Sequence, residues 1–565
     1  MLTMSRFVII FIVLIAASTL SQAATITVGE DGCDFRRIEP ALEAANIDDV
    51  IEVQSGEYWV NLNITTPFII LRGNDTGGGM PVLRAGSSTA EIERTSPGLT
   101  EMVEMSGGTA VAIRADFVTV ENFVITGVTW PIPYDTGEHR DAIGHAGIKV
   151  YSDFNKIANN TFVGNDLTAI GLMNASNNQI IGNTIKGVSF GYAMNLYNSH
   201  ANNIEKNAIV QNDWGIELQR SDSNTITENE ICESVNDGIW AVNSNYTMIT
   251  ENIISRNGIE SKYEGNGKGI SLVGSEGLIA NNVISFNRDH GIYIQSIFWE
   301  YCSEPPCGAE ESYENLVIGN RIQGNGKDGV RLEKTWRNNV IDNNITSNHG
   351  NGISFIQSHN NSADLNNVTK NDHGIYLDRS NYTKVNNNTL TGGEEVGVRF
   401  WSCLGASAYN NTILDSPVGI SVEESSNGLA LTMNRIRNAT IGINISGGSH
   451  ESRLAENNVS ECDAGVVLAG ASRNVVTGNR IRDNILGILA DALSTGNSIH
   501  RNNLSGNVEA ARDEGDNLWD DGSTGNFWGP DGCDDADGDG VCDGPRSIPG
   551  GKSADRFPLA RLVGP

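Results

Sequence analysis

Positive charge is scarce in this chain. Its 565 residues carry 38 Lys and Arg against 69 Asp and Glu, a formal net charge of −31. That balance argues against nucleic acid and anionic membrane surfaces as partners, since neither would meet an extended cationic face. Long apolar runs are equally rare. Phe7–Ala17 follows Arg6 and is followed by Ser21-Gln22-Ala23, which reads as a secretory signal over residues 1–23 with cleavage before Ala24. No later stretch matches a bilayer span, so the mature chain is expected to carry no transmembrane segment. The eight cysteines include no Cys-x-x-Cys pair, which argues against a thiolate metal site. The nine histidines are scattered, with His139 and His145 the only near pair outside the repeats, so copper-type His/Met or His/Cys spacing is missing.

In place of these features the sequence has a beat. A Gly-Ile or Gly-Val step recurs from Gly147 through Gly215, Gly238, Gly269, Gly291, Gly329 and Gly352 to Gly487, with Ala169 and Ala193 in the same slot and most gaps of 22 or 23 residues. A second beat, Asn followed two residues later by Ile, Val or Leu, keeps the same period from Asn183 and Asn207 to Asn502. Such a period calls for stacked repeats. Within a repeat the apolar residues alternate, as in Gly215-Ile216-Glu217-Leu218, which places Ile216 and Leu218 on one face and Glu217 on the other. No stretch inside the repeats suits a regular amphipathic helix, and the dense leucine pattern of a leucine-rich repeat is missing. The expected fold is all-β: a right-handed parallel β-helix of about fifteen regular coils at ~4.8 Å each. Amides in the Asn column can bond one another from coil to coil, and Gly in the other column suits an unusual φ or a close backbone approach.

The ends of a solenoid need covers. Residues 24–60 are expected to form the N-terminal cap and first strand. Ile26-Thr27-Val28 reads as a strand, Phe35–Ala45 as a short helix with Ile38, Leu42 and Ala45 on one face, and Ile51–Gln54 as the start of the first coil. Residues 61–510 form the β-helix, and 511–565 a C-terminal cap in which Trp519, Phe527 and Trp528 seal the last coil. Eight cysteines suit an oxidising compartment. Cys302 and Cys307 bracket a Ser-Glu-Pro-Pro insert, Cys533 and Cys542 bracket an acidic loop, and each pair is expected to be a disulfide. Sequons such as Asn245, Asn344 and Asn381 fit a secreted chain, although an Asn- and Thr-rich turn repeat also makes them by chance.

Two places offer chemistry. Asp535, Asp537, Asp539 and Asp543 stand at positions one, three, five and nine of a loop with Gly540 at six, and the Val541 carbonyl falls at seven. Hard oxygen ligands around a glycine turn suit Ca²⁺. Arg546 stands where an EF-hand would have Glu, so the loop resembles the shortened calcium loops of dockerins and thrombospondin type 3 repeats. The second place is the outer face of the Gly-column strands. The residues two and four after each Gly point outward, giving Glu217, Gln219, Trp240, Ser271, Tyr293, Gln295, Arg331, Glu333, Tyr376, Asp378, Arg399 and Trp401. Rings interleaved with charged and amide groups suit a sugar chain. Insertions at Ile259–Lys268 and Ile297–Tyr313 flank this face and are expected to wall a groove, with Tyr263, Glu264, Trp299 and Tyr301 at its rim. A third insertion, Val128–Ala146, lies on the same side as the first. The nearest catalytic set is Tyr293, Arg331, Glu333 and His290, in which the arginine would neutralise a uronate carboxylate while Tyr or His moves the proton.

"FRRIEPALEAANIDDVIEVQSGEYWVNLNI" and "IILRGNDTGGGMPVL" resemble the opening helix and first coils of the NosD-like family of exported β-helix proteins, whose repeat is called a carbohydrate-binding and sugar-hydrolase domain. "GNFWGPDGCDDADGDGVCDGPRSIPGGKSADRFPL" resembles the C-terminal segment of surface-layer-associated proteins of methanogenic archaea. The resemblance covers nearly the whole mature chain. It implies the fold and export, but it spans binding proteins, hydrolases, lyases and epimerases. The family name also implies copper-enzyme maturation, which the scattered histidines do not support. The Tyr-Gly-Phe-Asp-Pro-His-Asp signature of mannuronan epimerases is missing, and of the polygalacturonase elements only Gly144-His145-Ala146 comes near. The expectation is therefore an exported or cell-surface protein that binds a glycan or builds a surface layer. The alternative is a polysaccharide lyase, epimerase or glycoside hydrolase working in the groove.

Overall fold

A computed structural model describes residues 23–93, 100–105, 107–129, 145–262, 264–297, 311–529 and 533–561. The signal stretch up to residue 22, His139, Tyr263, Trp299, Tyr301, the Cys302–Cys307 pair and most of the 128–146 insertion lie outside those residues. The chain divides into two compact units, Met1–Thr184 and Ile185–Pro565. The fold is a right-handed parallel β-solenoid of about 19 turns with about 1% helix. It has more turns than the sequence beat predicts because the first coils lack the Gly step.

In the first unit, Thr25–Val28, Val50–Gln54, Ile70–Asn74, Thr119–Glu121 and Lys156–Ala158 stack in parallel. The one α-helix among the described residues, α1 (Ile38–Ala44), buries Ile38, Ala41 and Leu42. It starts three residues later than Phe35, where the sequence places it. Phe35 instead extends the end strand: its N–H donates to Thr27 O at 3.0 Å and its carbonyl accepts from Gly29 N–H at 2.9 Å. Ala45 is already extended at the helix C-cap.

In the second unit each coil supplies three short strands. Asn203–Glu205, Ala208–Val210 and Trp214–Gln219 pair in parallel with Thr225–Thr227, Glu230–Cys232 and Ile239–Val242 of the next coil. Ile204, Ile209, Ile216 and Leu218 point inward and are at most 1% exposed. Strands of three residues are too short to hold a register alone, so the corners between them carry the specificity.

The corner between the first and second strands is an amide ladder. From Asn207 to Asn526, each Nδ2 donates to the Oδ1 of the next asparagine at 2.9–3.0 Å without a break. Each Oδ1 also accepts the backbone N–H of the preceding asparagine, as Asn343 does from Asn320 at 2.9 Å. The second amide hydrogen goes to main-chain carbonyls, in Asn343 to Val317 O and Ile341 O. The residue before each ladder position from Asn207 to Asn502 is left-handed, for example Glu228 (φ 53°), Glu251 (φ 58°) and Asp342 (φ 53°). Side chains tolerate that strain because the amide behind them fixes the corner.

The Gly column answers to close approach alone. A Cβ on Gly352 would lie 2.3 Å from Val368 Cγ1 and 2.6 Å from the Gly374 carbonyl oxygen, and its φ is not left-handed. At the C-terminal end the ladder is closed by a carboxylate. Asn526 N–H donates to Asp555 Oδ2 at 2.7 Å, and Trp528 Nε1 donates to the same oxygen at 2.9 Å. Trp519 is fully buried, its ring 5.8 Å from that of Trp528, and Phe527 is 9% exposed.

Asn343→Ala removes the acceptor of two buried donors on Asn320 and should cost about 2–4 kcal/mol. Its exposed neighbour Asn344→Ala should cost less than about 0.5 kcal/mol. Urea midpoints and hydrogen exchange in the adjoining coils measure the contrast.

Candidate functional site

The third strands of the second unit form a sheet whose outward residues are in strict register. Glu217, Trp240, Ser271, Tyr293, Arg331, Ser354, Tyr376, Arg399 and Ser421 follow one another as direct neighbours. A second outward column pairs Gln295 with Glu333, Ile356, Asp378, Trp401 and Glu423. A cleft of about 570 Å³ opens on this face. Its lining includes His290, Tyr293, Gln295, Arg331 and Glu333, so the four residues expected to be catalytic share one cavity. Sequence reasoning missed Lys268, Asp289, Lys327, Asp328 and His349, which also line it. They occupy the positions just before the column glycines, a signal that was available.

The 259–268 insertion borders the cleft through Gly265 and Lys268. Its base is pinched where Gly258 (φ 84°) and Gly267 (φ 98°) meet: a Cβ on the first would lie 2.2 Å from the Cα of the second. Asp237, 4% exposed, holds that base by accepting from Gly267 N–H at 2.7 Å and Lys268 N–H at 2.8 Å. Burial raises the Asp237 carboxyl, and Lys268 opposes the rise.

Inside the cleft nearly every polar group has a partner. Tyr293 Oη donates to Glu333 Oε2 at 3.0 Å, and Arg331 reaches the same oxygen through Nη2 at 2.9 Å and Nε at 3.1 Å. Lys327 Nζ lies 2.7 Å from Asp289 Oδ2. Asp328 accepts from Ser354 Oγ at 2.6 Å and from Asn351 N–H at 2.8 Å. His290 stacks on Tyr293 with ring centroids 5.4 Å apart. Its Nδ1 accepts the Asp328 N–H at 3.1 Å, and its Nε2 lies 3.2 Å from Asp289 Oδ1. Burial lowers the imidazole to about 4 against the pull of Asp328 and Asp289, so the ring is neutral at pH 7. Burial also raises the Tyr293 phenol, reinforced by Glu333, and keeps it a hydrogen-bond donor. The cleft is thus a lattice of paired donors and acceptors: guanidinium, phenol and imidazole are each tied to a protein group rather than set to take a proton.

The remaining outward residues fall elsewhere on the sheet. Glu217 is 6% exposed and accepts from Asn195 Nδ2, so it offers no open surface. Trp240 joins an aromatic run, with Tyr192–Trp214 centroids at 5.9 Å and Trp214–Trp240 at 5.4 Å; Trp214 was not foreseen. Tyr376, Arg399 and Trp401 form a second group, in which Arg399 Nη2 donates to Glu423 at 2.8 Å and its guanidinium lies 4.7 Å from the Trp401 ring centroid. Glu264 is exposed and does not line the cleft.

A family model described as periplasmic copper-binding protein (NosD) matches residues 135–265 and 390–532, and one described as right-handed β-helix region matches 237–413. The chain belongs to the NosD-like parallel β-helix family. No curated protein matches it. Among solved structures it is similar to the A-module of an Azotobacter vinelandii mannuronan C-5 epimerase, at 12% identity over 68% of this chain and 92% of that one, TM-score 0.37. It is similar also to a periplasmic alginate epimerase (14%, 65% and 77%, 0.34) and to a mannuronic-acid-specific polysaccharide family 6 lyase from human gut microbiota (12%, 60% and 87%, 0.37).

The described residues do not fit the copper of the family's description. Their one group of three or more close His, Cys, Asp or Glu side chains is Asp535, Asp537 and Asp539, an all-oxygen set. Cys232, Cys403 and Cys462 are free and buried, and burial pushes the first two thiols up to about 11, away from the thiolate a metal needs. The Cys533–Cys542 disulfide is present, with Cα atoms 5.4 Å apart. Within the acidic loop, Gly540 N–H donates to Asp535 Oδ2 at 3.2 Å and Val541 N–H to Asp539 Oδ1 at 2.7 Å. Asp543 stands outside the close trio and accepts from Ala536 N–H at 3.0 Å. No described helix is long and apolar enough to cross a membrane.

His290 titrates near 4 in the folded cleft and near 6.5 when unfolded, so between those values the unfolded chain binds the proton first. The stability linked to this ring is complete above the unfolded value, falls as pH drops through the window, and is level below it. His290→Gln should flatten that part of the pH profile of the urea midpoint relative to wild type. The wild-type ring should still show the NMR shifts of a neutral imidazole at about pH 5.

Proposed function

We propose that this is an exported protein that binds a polysaccharide on the outer face of its third-strand sheet. The observation that carries the reading is the cleft around Tyr293, where paired charges, a phenol and a neutral imidazole line about 570 Å³ on the same face as the Tyr192–Trp214–Trp240 aromatic run. Rings stack on the C–H faces of sugars, and carboxylates accept from pairs of hydroxyls. Each cation in the cleft already faces a carboxylate: Lys268 lies 3.8 Å from Asp237, Lys327 meets Asp289, and Arg331 meets Glu333. With a net charge of −31, this favours a hydroxyl-rich glycan over a polyanion. A lyase, epimerase or hydrolase is the second reading, supported by the gathering of His290, Tyr293, Arg331 and Glu333 in one cavity. New reducing ends or unsaturated uronate on incubation with polysaccharides would establish it.

In affinity electrophoresis against a polysaccharide panel, Trp240→Ala and Tyr293→Ala should each weaken retention about tenfold, the loss of roughly 1.4 kcal/mol. Thermal stability should change little, and retention should vary little with salt. Unaltered retention in both variants would move the binding surface elsewhere.

We further propose that Asp535, Asp537 and Asp539 hold a structural Ca²⁺, with the Val541 carbonyl and Asp543 completing the shell. Asp535 Oδ1, buried without a partner, supports this. Calorimetric titration with CaCl₂ should give one site that Asp537→Ala removes, together with a Ca²⁺-dependent rise in melting temperature. No heat of binding to the wild-type chain would leave the loop a disulfide-held turn.

A further inference from the structure

The motif that lines the cleft has a second copy. Asp289-His290-Gly291-Ile292-Tyr293 recurs as Asp372-His373-Gly374-Ile375-Tyr376, and each is followed one coil later by Gly-Val-Arg, ending in Arg331 and Arg399. The register places Tyr293 and Tyr376 in one outward column, separated by Arg331 and Ser354, hence three coils apart. Three strand spacings of ~4.8 Å make about 14 Å. Asp213-Trp214-Gly215-Ile216-Glu217 stands three coils before the first copy, with Trp214 in the histidine slot and Trp240 in the arginine slot.

The two copies share a His–Tyr ring contact and an Arg–Glu ion pair as well as their sequence. His373 packs against Tyr376 with ring centroids 5.5 Å apart and planes tilted by 47°, where His290 stacks on Tyr293 at 5.4 Å and 27°. Arg399 lies over Tyr376 at 5.9 Å and holds Glu423 of the next strand at 2.8 Å, whereas Arg331 holds Glu333 of its own strand at 2.9 Å and Trp401 stands in the place of Glu333 in the second copy. They differ in saturation. His290 Nδ1 accepts the Asp328 main-chain N–H at 3.1 Å, whereas His373 Nδ1 is buried without a partner. Arg399 Nε is likewise buried and unpaired. His373 is 9% exposed. A buried polar atom left unsatisfied is costly, so the second copy keeps unused hydrogen-bonding capacity that the first has filled.

We propose that the Asp-His-Gly-Ile-Tyr/Arg modules are equivalent sugar subsites, and that one linear polysaccharide chain lies along the solenoid axis and occupies both. This rests on the glycan-binding reading above and adds direction, valency and spacing. An extended chain that spans about 14 Å gains the second site intramolecularly, so affinity should jump once the oligosaccharide is long enough to bridge. A ligand lying across the strands would meet only one module, whatever its length.

The test is calorimetry with the neutral cello-oligosaccharides and manno-oligosaccharides from disaccharide to octasaccharide. Three proteins are compared: wild type, Tyr293→Ala/Arg331→Gln, and Tyr376→Ala/Arg399→Gln. The expected result is two equivalents of the shortest binding oligosaccharide per wild-type chain, and one per chain in either variant. The longest oligosaccharides should bind wild type once, about 10²-fold more tightly, and either variant should lose that gain. Tyr376→Phe keeps the ring and should keep most of the gain, which separates loss of a subsite from damage to the coil. One equivalent of every oligosaccharide, abolished by the Tyr293 variant and untouched by the Tyr376 variant, would overturn the paired-subsite proposal and leave the single-cleft reading intact. Two equivalents at all lengths without a gain would overturn the shared chain. Absence of binding to wild type by every oligosaccharide would overturn both readings.

Discussion

A solenoid of such short strands has to turn three corners in every coil without leaving a buried N–H or C=O unpaired. The amide ladder from Asn207 to Asn526 meets that demand. Each asparagine accepts one main-chain N–H and donates to a main-chain carbonyl as well as to the next amide, so the ladder saturates the corner and locks the coils to a common register. Because the corner is satisfied from behind, residues such as Glu228 and Asp342 can take left-handed backbone there. At its end the ladder requires an acceptor that carries no further donor, and the Asp555 carboxylate supplies it.

Everything at the candidate site follows from that register. A residue two positions after a column glycine lands beside its counterpart in the next coil, so residues separated by tens of positions in sequence become neighbours about one strand spacing apart. Tyr293 meets Arg331 in this way, although the intervening insertion makes their separation 38 residues, and Tyr376 meets Arg399. The spacing is fixed by backbone hydrogen bonds rather than by side chains. The face is therefore a ruler on which function is written by substitution alone, and the 259–268 insertion, pinched at Gly258 and Gly267, adds a wall without disturbing it.

The electrostatics of the cleft arise from burial within an acidic protein. Lys268, Lys327 and Arg331 do not make a positive patch, because Asp237, Asp289 and Glu333 neutralise them at 2.7–3.8 Å. Burial then keeps His290 neutral and Tyr293 protonated. The outcome is a surface rich in directed hydrogen bonds and poor in net charge, and the proposed binding of a hydroxyl-rich glycan rests on that character.

The sequence by itself determined the solenoid, because a period-two apolar pattern with locked Gly and Asn beats has few other ways to bury its face. It also determined which residues face outward, since alternation fixes that for every strand, and it placed Trp519 and Phe527 in the terminal cap. It misplaced the start of α1, because Phe35 can serve a strand end as well as a helix face and only the neighbouring strand decides. It could not show that Glu217 is enclosed by Asn195, nor that Lys268, Lys327 and Asp328 complete the cleft with Tyr293. Those facts depend on which coil stands above which once insertions of unequal length are looped out, and that is decided by backbone pairing between segments far apart in the chain.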